Sequence, residues 1–533
     1  MPQDETTTIV FSETQIACKL ANLKINKSPG PDLIHPRVIY EIRNFLICPL
    51  TYLFNKSMKL GVLPKDWKSS IVTVLHKKGR KDCLDNYRPI SLTCICCKLI
   101  ESLVTELITE YFLKNNLFSN KQYGFIKGRS TVLQLLKLTE DWTKSLDNNE
   151  QVDIIYTDFE KAFDKVPHSR LISKLQAYGL NVVLINWIAS FLSSRVQQVR
   201  INGIISGNKK VLSGIPQGSV LGPLLFVIYI NDLPAVCGDD SKLYLFADDA
   251  KLYRAITSIS DYTCLNQVCG DVFNWSERWL MKLNISKCKV LSLCRNSSNI
   301  IKYDYGIVLP DQGLVLLNHE YMIKDLGVLI DSNLSFNEHI QDKINVASRM
   351  LGIIKRNFVD LDKNSFLLLY KSLVRSHLEY AGSVWNPYKK GLIRDIEAIQ
   401  KRATKLIRGC RNMDYISRLA WLELPTLKYR RFRGDMLELY KILNNLYDSK
   451  TVPVFEMHLD TRTRGNSFKI KVDRCNYDVR KFSFCSRVVK AWNSLPESVV
   501  ASTSVNAFKR NFDKNYMKHS LHYDFEADIP GFV

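Results

Sequence analysis

The feature that most narrows the fold of this chain is the run Leu243-Tyr244-Leu245-Phe246-Ala247-Asp248-Asp249-Ala250-Lys251-Leu252-Tyr253. Two apolar, β-rich segments flank a two-carboxylate turn, which predicts a hairpin over 242–255 with a pair of acids at its tip. Adjacent carboxylates pressed against aromatic and aliphatic neighbours repel one another unless a cation neutralises them. Mg²⁺ suits that task, because it takes oxygen ligands and binds through a few carboxylates plus substrate phosphates. A two-acid turn can also be a solvated loop tip and nothing more. The nearby pair Asp239-Asp240 follows Cys237-Gly238 without a leading strand and reads that way.

Three further constellations precede the hairpin. Asp158 follows the apolar run Val152-Asp153-Ile154-Ile155-Tyr156-Thr157, so its carboxylate is placed where a strand ends, although an Asp there also serves as a turn or helix cap. Ser213-Gly214-Ile215-Pro216-Gln217-Gly218-Ser219 is a glycine-flanked loop entering an apolar helix. Its backbone can approach a flat ligand closely, and the Gln217 amide can donate to a sugar or base. The basic loop His76-Lys77-Lys78-Gly79-Arg80-Lys81 leads into Asn86-Tyr87-Arg88-Pro89-Ile90-Ser91. There an arginine fork can hold phosphate oxygens while lysines add point charge.

With 533 residues the chain is long enough for about three to four folding units. Its 74 Lys and Arg against 53 Asp and Glu leave a net +21, which favours a polyanionic partner. Between Lys401 and Arg433 stand ten basic residues and two acids, the pattern of a surface that tracks a phosphate backbone. The fourteen cysteines lack zinc-site spacing and read as buried thiols of a reducing compartment. No secretory signal opens the chain, and the longest apolar stretch, Val220 to Ile230, is interrupted by Gly222 and Pro223 and is too short to span a bilayer. A soluble protein of the cell interior is expected.

Local patterns predict helices over 13–23, 36–58, 97–113, 219–232 and 262–283, and two more within 169–193 broken near Gly179. From about 336 to 448 the pattern is mostly helical, and an irregular strand-and-turn region is expected after it.

Taken in order, a basic loop with an arginine, a strand ending in Asp, a Pro-Gln-Gly loop and an Asp-Asp hairpin resemble the reverse transcriptases, and among them the jockey-type non-LTR (LINE-like) retrotransposons. The resemblance runs from about residue 25 to about 510. It is carried by "INKSPGPDLIHPRVI", "NYRPISL", "QYGFIKGRST", "YTDFEKAFDKVPH", "SGIPQGSVLGPLLFVIYINDL", "LYLFADDAKLY", "LMKLNISKCKV" and "IKDLGVLID". It implies an α+β right-hand polymerase, with an N-terminal helical extension over 1–62, fingers over 63–150, a palm with an antiparallel sheet over 151–335, a helical basic thumb over 336–450, and a region of unassigned role over 451–533. It also implies RNA-directed DNA synthesis with two Mg²⁺ ions (Mn²⁺ as an alternative) held by Asp158, Asp248, less directly Asp249, and the Phe159 backbone carbonyl. Arg88, with Lys77 or Lys78, matches the triphosphate-binding group. Gln217 and Gly218 match the loop under the incoming nucleotide, and Phe163 the aromatic gate against a 2′-hydroxyl. Lys287 matches the lysine that protonates pyrophosphate, and Leu326-Gly327-Val328 the primer grip. Lys401, Arg402, Lys405 and Arg408 are the candidates for the template–primer backbone. The implied partners are an RNA template, a DNA primer and target, and dNTPs, with work in cytoplasm and nucleus.

Three rivals share part of this pattern. An RNA-dependent RNA polymerase of the palm type fits Phe163 and Pro216-Gln217-Gly218 less well. A group II intron maturase fits Phe246-Ala247-Asp248-Asp249 less well, and a domesticated remnant would bind nucleic acid without catalysis. The 62 residues before the fingers are too few for the endonuclease such elements carry upstream, so the sequence reads as the polymerase half of an element, either a fragment or a truncated gene copy, and if it nicks its own target the nuclease comes in trans.

Overall fold

A computed structural model describes residues 8–77, 79–238, 241–311, 313–458 and 466–529. The strand Gln151–Thr157 lies at the middle of a five-stranded sheet, in the order Asn318–His319, Lys289–Leu293, Gln151–Thr157, Asp249–Ile256, Lys242–Phe246. All its pairings are antiparallel except that of Asn318–His319 with Lys289–Leu293.

Side chains alternate across a strand, and this sheet uses both of its faces. Val152, Ile154, Tyr244, Tyr253, Leu291 and Leu293 enter one core, while Ile155, Leu243, Leu245, Leu252 and Val290 enter the other. That double burial explains why the central strand reads as a near-continuous apolar run. The second core is closed by the helices Glu13–Ala21, Arg43–Leu60, Ile95–Lys114, His168–Ala177, Val182–Leu192, Gly222–Ile230 and Ile259–Arg278. The first is closed by Thr131–Asp147 and by the helices that follow residue 336.

A second five-stranded sheet carries the basic loop. Ser69–His76 pairs antiparallel with Tyr87–Leu92 and parallel with Arg195–Ile201, which also pairs with Ile204–Ile205 and Lys209–Val211.

The structure departs from the sequence expectations at several places. The helix expected over 36–58 is two, Pro36–Glu41 and Arg43–Leu60, with Ile42 at the joint at φ −94° and ψ 13°. The helix Thr131–Asp147, capped by Ser130, was not anticipated. The strand-and-turn expectation for the C-terminal region fails. Among the described residues it forms the helices Asp478–Lys481, Phe484–Asn493, Glu497–Val500 and Val505–Tyr516, and its one β-bridge joins Met457 and Ile470. Phe508, Phe512 and Tyr516 recur at helical spacing and pack into the first core. Six cysteines are buried as expected, but Cys18, Cys48 and Cys83 lie at the surface. No helix among the described residues is long and apolar enough to cross a membrane.

Candidate active site

The expected hairpin forms, but its turn is one residue earlier than the two-carboxylate turn the sequence suggested: Phe246 pairs with Asp249, which opens the second strand, and only Ala247 and Asp248 make the turn. Ala247 takes φ +56°, the left-handed value that two-residue turns between twisted strands require and that a residue with a Cβ rarely adopts. Next to it, the central strand ends at the pair Thr157–Ala250 and delivers Asp158 beside the tip. The segment after Asp158 is fixed from below. The Asn284 amide donates to the Asp158 carbonyl at 2.7 Å, and the Glu160 amide donates to the Lys282 carbonyl at 2.9 Å. This pairing also brings in Lys287, whose Nζ is 3.4 Å from Asp158 Oδ2.

Asp158, Asp248, Asp249 and Lys287 line one cleft of about 1490 Å³, together with Phe159, Phe163, Gln217, Gly218, Lys77 and Arg88. Arg88 stands on Tyr87–Leu92 opposite Leu75, and the Lys77 amide donates to the Asn86 carbonyl at 2.7 Å, which holds both residues at the cleft wall. Lys78 lies outside the described residues, as do Asp239 and Asp240. Burial raises the Asp248 carboxyl above the usual carboxylate range and the charge of Asp158 adds to it, while Arg88 and Lys77 pull it down. Asp249 opens to the cleft, but desolvation by the surrounding wall and the adjacent Asp248 push its carboxyl up to about 6. An acidic floor thus faces a cationic rim.

The Pro-Gln-Gly loop is docked on two sides. The Ser91 amide donates to the Gln217 carbonyl at 2.6 Å, and a Cβ on Gly218 (φ +117°) would lie 2.5 Å from the Ser91 carbonyl oxygen, so only glycine fits. The Gln217 side-chain Nε2 donates to Asp164 Oδ1 at 2.9 Å. A carboxylate can only accept, so this bond fixes the orientation of the amide and leaves Oε1 as an acceptor and the second N–H of Nε2 as a donor. Phe163 stacks on Phe226 at 4.2 Å and 18°, with Phe125 edge-on at 6.2 Å.

The remaining candidates stand apart from the cleft. Leu326 and Gly327 form the turn between the strands Met322–Asp325 and Val328–Asp331, Val328 opening the second, and the Tyr380 hydroxyl donates to the Leu326 carbonyl at 2.7 Å. That turn is tied to the hairpin by the buried pair Lys251–Asp325. Lys401 lies 4.3 Å over the Phe525 ring, Arg402 and Lys405 are exposed, and Arg408 pairs with Asp360 at 2.9 Å. The basic stretch is not one face. Arg418, Lys428, Arg430, Arg431 and Arg433 turn toward Thr404, the Ala527 carbonyl, Glu379, Asn386 and Asp513 respectively.

Among the described residues no three His, Cys, Asp or Glu side chains stand together as a ready metal cluster. The carboxylates come singly from a strand end and a hairpin tip. Such a donor set fits Mg²⁺, which keeps part of its shell for water and substrate phosphate. Sequence reasoning missed Asp164 and Gln122. Both act on the backbone or side chain of another residue, and each left only a trace, Asp164 by its place inside "DFEKAFD" and Gln122 as the first residue of "QYGFIKGRST".

Residues 75–330 match the reverse transcriptase (RNA-dependent DNA polymerase) family. The chain is 29% identical over 414 residues to a probable RNA-directed DNA polymerase from transposon X-element of Drosophila melanogaster, covering 75% of this chain and 44% of that protein. It is 28% identical over 404 residues to the RNA-directed DNA polymerase from mobile element jockey of Drosophila melanogaster, covering 73% and 43%. A probable RNA-directed DNA polymerase from transposon BS of Drosophila melanogaster is 27% identical over 415 residues, covering 74% and 44%. The chain thus spans less than half the length of these curated relatives.

Proposed function

We propose that this chain, a reverse transcriptase by its residues 75–330 and a relative of non-LTR retrotransposon polymerases, extends a DNA primer on an RNA template by two-metal-ion nucleotidyl transfer. The observation that carries the reading is the meeting of Asp158 and Asp248, from two different elements, in one cleft with Arg88 and Lys77 on the facing rim. In a right-hand arrangement, 63–150 would serve as fingers, 151–335 as palm and 336–450 as thumb.

Asp158 and Asp248, with the Phe159 carbonyl and support from Asp249, would hold two Mg²⁺ or Mn²⁺ ions. Bound there, the metal supplies activation of the primer 3′-hydroxyl and neutralises charge on the leaving pyrophosphate. Arg88, Lys77 and Lys78 grip the triphosphate. Gln217, its amide fixed by Asp164, presents an acceptor beneath the nucleotide, and Gly218 keeps that loop against Ser91. Phe163, braced by Phe226, closes the space a 2′-hydroxyl would need. Lys287, already beside Asp158, donates a proton to pyrophosphate. Leu326, Gly327 and Val328 support the primer end, and Lys401, Arg402, Lys405 and Arg408 follow the duplex backbone. An RNA template, a DNA target and dNTPs as partners put this work in cytoplasm and nucleus.

The test is oligo(dT) extension on poly(rA) with dTTP or UTP. Incorporation of dTTP in strong preference supports the proposal, and preference for UTP points to an RNA polymerase.

A further inference from the structure

The geometry points to Gln122 as a positioning residue that sets the Ala247–Asp248 turn in the form Asp248 needs to take a divalent cation. This rests on the polymerase reading above and adds to it a residue outside the cleft.

Lys242–Phe246 is the edge strand of the central sheet, and its outer side is covered by residues 121–124. The Leu245 amide donates to the Lys121 carbonyl at 2.9 Å, and the Tyr123 amide donates to the Leu245 carbonyl at 2.8 Å. Gln122 sits between these two bonds, fully buried at 0 % exposure. Its Oε1 accepts from the Ala247 amide at 3.0 Å and from the Gly124 amide at 2.7 Å, and its Nε2 donates to the Ala247 carbonyl at 3.4 Å. One rigid carboxamide therefore meets both the N–H and the C=O of the left-handed residue that precedes Asp248. A Cβ on Gly124 would lie 2.5 Å from the Ala247 nitrogen, so the approach of this segment to the turn leaves no slack.

The physical need is specific. Ala247 holds a positive φ that its own Cβ disfavours, and such a conformation persists only where the surroundings over-determine it. The peptide joining Ala247 to Asp248 sets the direction of the Asp248 side chain, and metal sites tolerate only small errors in ligand direction. Gln122 supplies an acceptor and a donor together. Glutamate would lose the donor, and methionine would fill the space with neither.

The test uses the full chain with an annealed RNA template and DNA primer. Mn²⁺ binding is followed by the electron paramagnetic resonance of the free ion, beside primer extension as a function of Mg²⁺. Gln122→Met is compared with Tyr123→Phe, which removes the neighbouring buried bond from the Tyr123 hydroxyl to the Thr451 carbonyl at 2.6 Å. The expected result is roughly 10- to 100-fold weaker Mn²⁺ binding, and a higher Mg²⁺ requirement, in Gln122→Met alone. Primer–template affinity and the KM for dNTP should stay as in the wild type. If Gln122→Met does not fold, Gln122→Asn, which keeps the amide but withdraws it by one methylene, carries the same expectation. Wild-type Mn²⁺ affinity in a folded Gln122 variant would overturn the inference, as would equal weakening in Tyr123→Phe. A wild-type chain that neither binds Mn²⁺ nor extends a primer would overturn the polymerase reading and this inference with it.

Discussion

Arg480 and Glu140, 340 residues apart in the chain, form a buried two-pronged ion pair with nitrogen–oxygen distances of 2.5 and 2.8 Å. The side chains are 5% and 6% exposed, and the bond fastens the C-terminal helices to Thr131–Asp147 behind the central sheet. Burial alone would raise the Glu140 carboxyl, but Arg480 outweighs it and holds the group at about 2, below its ordinary 4.5. A depressed carboxylate adds stability in full above its unfolded value, so the contribution, about 3 kcal/mol, is present at neutral pH and disappears as pH falls from about 4.5 toward 2. Arg480→Met should therefore cost about 3 kcal/mol at pH 7, since it leaves the buried Glu140 carboxylate with only the half-exposed Lys144 as its ion-pair partner, and the gap to wild type should narrow below about pH 4.5. Urea unfolding at pH 7 and pH 3.5 measures both. A gap that does not change with pH would contradict the assignment.

Phe163 has two jobs to tell apart. Its ring stacks on Phe226 inside the cleft wall, so some loss of stability is expected from any truncation. As a gate it should do more. Phe163→Val should lower the ratio of kcat/KM for dGTP over GTP on one template by roughly 10²-fold. Lower activity on both nucleotides with an unchanged ratio would reduce Phe163 to packing.

The basic stretch after residue 400 divides into two classes with different expected outcomes. Neutralising Arg402 and Lys405, which face outward, should weaken binding to every template–primer alike and make the salt slope of log affinity shallower by roughly 0.7–0.9 per lost phosphate contact. Neutralising Arg433, whose guanidinium is bonded to Asp513 at 2.5 and 2.6 Å, should lower stability and leave that slope alone. Salt titrations of fluorescent primer–template binding, with melting curves beside them, separate the two.

Much of the site was legible because its signals are local. Apolar, β-rich segments on either side of Asp248, an apolar run ending at Asp158, and glycines at Gly214 and Gly218 each show within a dozen residues. What stayed hidden depends on partners distant in sequence. Gln122 acquires meaning only when Ala247, 125 positions on, folds against it, and the Gln217 amide takes its orientation only because Asp164, distant in sequence, accepts from it. Charge misled for a related reason. The excess after residue 400 looked like one surface, but Arg430 and Arg433 are consumed by Glu379 and Asp513 from other helices. The helices Phe484–Asn493 and Val505–Tyr516 fall where an irregular strand-and-turn region was expected, and β-branched and aromatic residues lower helix preference there. Burial of Val488, Val489 and Trp492 against the first core outweighs that weak preference.

Lys287 and Asp158 offer a test of proton delivery. Their 3.4 Å approach puts an ammonium beside the cleft carboxylates, within the site proposed for nucleotidyl transfer. Lys287→Ala should lower kcat by roughly 10²-fold with little change in the KM for dNTP, and Lys287→Arg should recover little, since guanidinium does not release its proton. Single-turnover incorporation of one nucleotide measures the step. A change confined to KM would make Lys287 a phosphate-binding residue only.

The central claim is that Asp158 and Asp248 form the catalytic centre of an RNA-directed DNA polymerase, and the most direct measurement is primer extension by purified protein on a homopolymer RNA template with Mg²⁺. The wild-type chain should add deoxynucleotides, and Asp158→Ala and Asp248→Ala should each lose the activity by several orders of magnitude while keeping the wild-type circular dichroism spectrum. Near-normal extension by either variant, or none by the wild-type chain, would contradict the claim.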